Sequence, residues 1–221
     1  MSDPRLRVSD DPAAEVAELL AAAARRRETI VLTGGSTVGP AYERAAELEV
    51  DWGRASLWWS DERCVSPGDA RSNYGLVRRT LLDRLARLPE TPRIHPELPP
   101  EEAAAAYDAA LEGVELDLVL LGLGADGHVA SLFPGSPQLA VRDRRAASGP
   151  AGLEPFVERV TMTLPELLSA RRVVVLAIGA GKANAVARAF RDEPTDAVPA
   201  SLLRAAAALD VHLDPAAAAG L

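Results

Sequence analysis

The chain is 221 residues long with 25% charged and 48% hydrophobic side chains, the balance of an ordinary soluble globular protein with length enough to bury a core. Its formal net charge of −8 argues against a general nucleic-acid binder, which needs a basic face against phosphates, but leaves room for a few local cations around a small anion. One cysteine, Cys64, excludes an internal disulfide, no stretch approaches the ~18 charge-free apolar residues of a membrane span, and the opening MSDPRLRVSDDPAAEVAELL is too broken and acidic for a signal peptide, so a cytoplasmic protein is expected.

Asp11 followed by Pro12 marks a helix start, because the carboxylate accepts from free N–H groups and proline suits the first helical position; the helix continues through AAEVAELLAAAARRR. TIVLTGGS reads as a strand ending near Thr33, VGPAYERAAEL as a helix, and ASLWWSDERC as a second strand entering a polar loop. SNYGLVRRTLLDRL is helical after a Ser72/Asn73 cap, with Leu76, Leu81, Leu82 and Leu85 on one side. The proline-rich LPETPRIHPELPP is loop or extended chain, and EEAAAAYDAALEG is a helix. LDLVLLGL is apolar throughout, as in a strand buried on both faces of a parallel sheet. Positions 134–155 carry turn residues and charge and are expected to be loop. FVERVTMTL and RRVVVLAIG follow as strands, KANAVARAF as a helix and LDVHLD as a short edge strand. Strands alternating with helices from end to end, with no linker and no repeat, specify an α/β fold with a mainly parallel sheet and flanking helices, one domain over residues 1–221.

Sites in such sheets form where loops leave the carboxyl ends of strands. Four polar or glycine-rich segments have that address: Gly34–Thr37, Ser60–Arg63, Gly122–His128 and Gly179–Lys182. The third contains a G-x-G-x-x-G match, Gly122-Leu123-Gly124-Ala125-Asp126-Gly127, which in a dinucleotide site lets the backbone approach a pyrophosphate. Asp126 opposes that reading by placing a carboxylate where phosphates would lie, and Pro134, Gly135 and Pro137 leave room for only a short helix behind it. The other reading is a tight turn presenting Asp126 and His128, a proton-transferring imidazole beside a carboxylate that orients it. His95 and His212 lack such company and read as structural.

TGGSTVGP offers successive glycine-turn N–H groups and two hydroxyls at a helix start, either an anion cradle or an ordinary strand-to-helix turn. It is not an ATP-binding P-loop, because Pro40 stands where lysine is required. Asp61, Glu62 and Arg63 form a solvated loop or, through Arg63, grip a phosphate or carboxylate. Arg71, Asn73 and the pair Arg78/Arg79 could add positive potential or polar contacts, the pair fitting solvent better. Cys64 reads as a small buried hydrophobe. Lys182, after Gly179 and Gly181, sits at a helix start where it opposes the dipole, a local cost that a bound phosphate offsets.

The segments VLTGGST, SDERCVSPGDARSNYGLV, LLGLGADGHVASLFPGS, RVTMTLPELLSARRVVVLAIGAGKA and, loosely, PASLL resemble in order the 6-phosphogluconolactonase family, from about Ile30 to Leu203. A related branch, the glucosamine-6-phosphate deaminases, carries a similar DGH loop but reads DGHIAFNEP, with a catalytic glutamate where this chain has Phe133. The resemblance implies a Rossmann-like fold of the sugar-phosphate isomerase/lactonase type and hydrolysis of 6-phospho-D-glucono-1,5-lactone, the second step of the oxidative pentose phosphate pathway. It implies no cofactor and no catalytic metal, and a small-molecule sugar-phosphate lactone as partner rather than nucleic acid or membrane. In that scheme His128 activates water while Asp126 and Asp61 orient or polarise. Gly34, Gly35, Ser36, Thr37, Arg63, Arg71 and Lys182 serve the substrate and its phosphate, and Asn73 the loop or a sugar hydroxyl. The C-terminal LDVHLDPAAAAGL lacks the tryptophan common near LD in relatives. The competing classes are a sugar-phosphate isomerase or deaminase and a non-catalytic sugar-phosphate-binding regulator.

Overall fold

The apolar runs become strands of a parallel sheet in a computed structural model that describes residues 4–221. The signal-peptide reading begins at Met1, and residues 1–3 lie outside the described residues. The elements are β1 (Arg5–Val8), α1 (Pro12–Arg25), β2 (Thr29–Leu32), α2 (Gly39–Glu47), β3 (Ser56–Trp59), β4 (Asp61–Arg63), α3 (Asn73–Thr80), α4 (Pro100–Ala110) and β5 (Leu118–Gly122). They continue with β6 (Ala146–Gly149), β7 (Arg159–Met162), α5 (Leu164–Ser169), β8 (Arg172–Ala177), α6 (Ala183–Phe190) and β9 (Leu209–Leu213). Six strands form one sheet in the order β1-β9-β8-β5-β2-β3, every neighbouring pair parallel. A second sheet, β4-β7-β6, is antiparallel. From β2 the chain moves outward to β3, then returns to β5 on the other flank, so the crevice between β2 and β5 is a topological switch point, where α/β sheets bind ligands.

Local chemistry explains the boundaries. Asp11 caps α1 by accepting from the Ala14 N–H at 3.2 Å, with Pro12 first in the helix. Ser72 caps α3 through the Gly75 N–H at 3.0 Å. Two buried tyrosines splint the carboxyl ends of β2 and β3. The Tyr42 hydroxyl accepts from Thr33 N at 3.0 Å and donates to Thr33 O at 2.8 Å. The Tyr107 hydroxyl treats Trp59 N and O alike, at 2.9 and 2.8 Å. Each phenol thereby supplies a backbone donor and acceptor with the partners an adjacent strand would have given.

Several expectations change. The polar loop after Trp59 is instead β4, paired with β7 in the register Asp61↔Thr161 and Arg63↔Arg159. The 134–155 segment is not all loop: it holds a 3-10 turn over Pro137–Ala140 and β6, which pairs with β7. Residues 128–133 turn rather than form even a short helix. LDVHLD is not an edge strand, because β9 lies fully buried between β1 and β8. The edge on that side is β1, whose four residues are all exposed and whose Arg-Leu-Arg-Val alternation is too short to stand out. It is stapled through buried Asp210, which pairs with Arg5 at 2.8 Å and with Arg172 of β8 at 2.5 Å. The helix α5 was not anticipated, being short and proline-led. No helix among the described residues is long and apolar enough to cross a membrane.

Contrary to its reading as a histidine without acidic company, His212 has a carboxylate partner. Its ring is buried, with Nδ1 2.8 Å from Glu15 Oε2, whereas His95 lies on the surface 3.7 Å from Glu97. Burial pushes the His212 pKa below its ordinary value against the pull of the Glu15 and Asp210 carboxylates, with the charge of Arg7 assisting. The unfolded ring gains a proton below about pH 6.5 while the folded ring resists it, so its contribution to stability falls as pH drops through that value. Glu166, pushed up to about 7 by burial, acts with the opposite sign, so the measurement must be differential. The urea midpoint of the wild type relative to His212→Gln is expected to fall between about pH 7.5 and about pH 5.5. A difference independent of pH would contradict this assignment.

Candidate active site

Loops leaving the carboxyl ends of β2, β3, β5 and β8 converge on one cleft of about 160 Å³. Its lining includes Gly34, Gly35, Ser36, Thr37, Asp61, Arg63, Asn73, Gly122, Gly124, His128 and Lys182. The four segments grouped by address in the sequence therefore meet in space.

The loop after β5 closes on itself, with Gly124 N donating to His128 O at 2.9 Å and Gly127 N to Gly124 O at 3.0 Å. Asp126 Oδ1 accepts from the His128 backbone N–H at 3.1 Å and lies 2.6 Å from its Nδ1. The imidazole folds back over Gly124 so closely that a Cβ there would lie 2.0 Å from Nδ1 and 2.5 Å from Asp126 Oδ1. Gly127 has φ +95°, and a Cβ on it would meet Val198 Cγ1 at 2.7 Å. The glycines thus make room for a histidine–carboxylate pair within a tight turn. With Nδ1 committed to Asp126, Nε2 is the nitrogen left for the cleft. Burial pushes the Asp126 pKa up, but the hydrogen bonds and charge of His128 outweigh it and hold the carboxyl below its ordinary value.

Asp61 is 4% exposed and both oxygens are engaged: Oδ1 lies 3.1 Å from Ser60 Oγ, and Oδ2 accepts from Ser131 Oγ at 2.7 Å. Ser131 belongs to the histidine loop, so Asp61 bolts that loop to β4. Ser131 was not singled out in the sequence, and its pairing with Asp61 across 70 positions leaves no local signal. Glu62, read with Asp61 as part of a solvated loop, is instead 2% exposed. Its buried carboxylate accepts from the N–H groups of Arg63 and Asn73, each at 2.7 Å, from Tyr74 N at 2.8 Å and from Ser72 Oγ at 2.9 Å. Burial raises its pKa and these bonds oppose the rise. The acid is an internal cap for α3, and the Ser72–Asn73 cap signature was the available hint.

Asn73 donates from Nδ2 to Asp61 O at 2.9 Å, while its buried Oδ1 has no partner and lies where a Cβ on Gly34 would sit. Arg63 donates from Nη1 to Arg71 O and keeps a buried Nε unpartnered. Arg159 on β7, opposite half-buried Arg63, adds a buried guanidinium that sequence reasoning passed over. Arg71 lies outside the main cleft, lining an adjoining one with Arg63 and Ser36 and pairing with Asp69 at 2.9 and 2.7 Å. Lys182 is half-buried at the start of α6; burial lowers its pKa and the Asp126 charge opposes the drop. Cys64 is half-buried rather than buried, and burial pushes its thiol up to about 11, far from a thiolate nucleophile. Arg78 and Arg79 face solvent. Among the described residues no three His, Cys, Asp or Glu side chains cluster as metal ligands.

A family model described as glucosamine-6-phosphate isomerases/6-phosphogluconolactonase matches residues 5–212. The chain belongs to this family. A human family member named 6-phosphogluconolactonase is 40% identical over 197 residues, 83% of this chain and 76% of its own. A Synechocystis protein of that name is 40% identical over 186 residues, 78% and 75% of the two chains. Among solved structures of the family, the 6-phosphogluconolactonase of Trypanosoma brucei superposes with a TM-score of 0.87 at 26% identity, covering 100% of both chains. A monomeric glucosamine-6-phosphate deaminase reaches 0.90 at 18% identity with 100% of both chains covered, a likeness of fold alone.

Gly124→Ala is expected to dislodge the imidazole without unfolding the chain. Nitrogen NMR of the His128 side chain then loses the Nδ1–H signal bonded to Asp126, while the backbone amide spectrum keeps its dispersion. Retention of that signal would contradict the placement of the ring over Gly124.

Proposed function

We propose that this chain hydrolyses 6-phospho-D-glucono-1,5-lactone to 6-phospho-D-gluconate, the second step of the oxidative pentose phosphate pathway, with His128 as general base. The observation that carries the reading is the His128–Asp126 pair, 2.6 Å apart, facing a cleft shared with a glycine–hydroxyl turn and two cations. The 6-phosphate binds Gly34, Gly35, Ser36 and Thr37 with Arg63 and Lys182, and the dianion restores the charge that burial disfavours on Lys182. Anchoring the far end of the sugar holds C1 near Nε2. Water loses a proton to Nε2 as its oxygen attacks C1. The tetrahedral intermediate collapses with cleavage of the C1–ring oxygen bond, and His128 returns the proton to that oxygen. Asp126 stabilises the transient imidazolium through Nδ1–H, and general-base assistance of this kind is worth about 10²–10⁴-fold. A lactone is an activated ester, so water and a base suffice, and no step calls on a redox or electrophilic group. Asp61 acts as a positioning group, since serine hydroxyls occupy both its oxygens. The nearby cleft leaves Arg71 a supporting electrostatic role. The described residues 4–221 work as one domain, and the single cysteine suits a cytoplasmic setting.

The family's other branch, whose members act on glucosamine 6-phosphate, supplies the competing reading, deamination of a sugar phosphate. Phe133 speaks against it: in this chain a 4% exposed phenyl ring packs on His128 where the deaminase loop carries its catalytic acid. A non-catalytic regulator would bind the sugar acid yet show no turnover. With the lactone as substrate, His128→Ala is expected to lower kcat by about 100-fold or more with little change in KM. Lys182→Ala is expected chiefly to raise KM. The reverse pattern would exchange the chemistry and binding roles, and ammonia release from glucosamine 6-phosphate without lactone consumption would overturn the reading.

A further inference from the structure

A histidine ring turns about its last side-chain bond in a broad, roughly two-fold potential, so a single hydrogen bond at Nδ1 leaves its tilt loosely held. Around His128 two further surfaces limit it. Gly124 is the floor. The roof is Phe133, whose ring centroid lies 4.7 Å from that of the imidazole at an interplanar angle of 45°. Phe133 is in turn pinned from behind. A Cβ on Gly152 would fall 2.8 Å from Phe133 Cγ, 2.9 Å from its Cβ and 3.2 Å from its Cδ1, so the bare backbone of the 150–153 turn presses against the phenyl group. That turn is held by Gln138, a 1% exposed side chain whose Nε2 donates to Pro150 O at 3.1 Å. Gly149 makes room for the Gln138 amide, since a Cβ there would lie 2.4 Å from Nε2. Neither Phe133 nor Gly152 lines the cleft.

We propose that Phe133 is a positioning residue for the general base and that Gly152 is the clamp that sets it. The 134–155 segment, through Gln138 and Gly152, presses Phe133 onto the imidazole and keeps Nδ1 on Asp126 and Nε2 toward C1. This inference rests on the reading of His128 as the base, and it assigns a catalytic consequence to a glycine that touches neither substrate nor imidazole. A ring misplaced by about 1 Å loses on the order of 10²-fold in rate, so pressure on Phe133 should register in kcat rather than in KM.

The test uses Phe133→Leu, Gly152→Ala and the double variant, each assayed for kcat and KM on the lactone and for the His128 Nδ1–H signal by NMR of the free protein. Gly152→Ala is expected to lower kcat about tenfold or more with KM within about twofold, and to weaken the Nδ1–H signal. In the double variant the smaller leucine yields to the new methyl group, and kcat recovers several-fold over Gly152→Ala alone, a non-additivity that a general loosening of the turn would not produce. The proposal is overturned if Gly152→Ala leaves kcat and the signal at wild-type values, if its loss falls on KM, or if the two substitutions simply add. Should the wild type fail to turn over the lactone, the functional reading fails, and the NMR comparison across the same variants still decides whether residue 152 sets the imidazole.

Discussion

The site depends on one contact: His128 Nδ1 lies 2.6 Å from Asp126 Oδ1, over a glycine whose missing side chain makes the geometry possible. Two residues apart in sequence, acid and base could not face each other on a regular helix or strand, because residues i and i+2 point away from each other on a helix and lie a full pleat apart on a strand. The turn closed by Gly124 and Gly127 brings them together, and the carboxylate takes both the backbone and the ring nitrogen of the same histidine. That double grip fixes the tautomer and leaves a single nitrogen for chemistry.

The rest of the molecule places this pair opposite an anion cradle. The reversal of strand order between β2 and β5 sets the glycine–hydroxyl turn and the histidine turn side by side at the same sheet end. The small antiparallel sheet then carries Asp61 and Arg63 across the mouth, and buried Glu62 and Asp61 tie its loops down through hydrogen bonds rather than ion pairs. Buried carboxylates with fully occupied oxygens are rigid supports, since any displacement strands a desolvated charge. At Lys182 burial lowers the pKa and so disfavours the cation, a cost that a bound anion offsets.

Much of this was legible from the sequence because it is local. Strand ends marked by glycine and hydroxyl residues, and helices marked by Asp11–Pro12 or Ser72, announce themselves within a few positions. The G-x-G-x-x-G match was legible but ambiguous, since a pyrophosphate and an imidazole both require a glycine without Cβ; Asp126 was the residue that separated the readings. What escaped was tertiary. The pairing of Asp61 with Thr161, the Ser131–Asp61 bond and the press of Gly152 on Phe133 join distant positions and leave no periodicity to read. Edge strand β1 is hard to read for another reason: RLRV alternates charged and apolar residues over only four positions, all exposed, so the pattern is too short to stand out beside the longer apolar run of buried LDVHL.

The central claim is that the glycine turn seats a base while the separate turn after β2 holds the phosphate. A crystal structure with 6-phospho-D-gluconate bound tests it most directly. The account requires the phosphoryl group on the Gly34–Thr37 turn with Lys182, and the product carboxylate within hydrogen-bonding reach of His128 Nε2. A phosphoryl group bound to Gly122–Gly127, or to Arg71 in the adjoining cleft with the carboxylate turned away from His128, would contradict it.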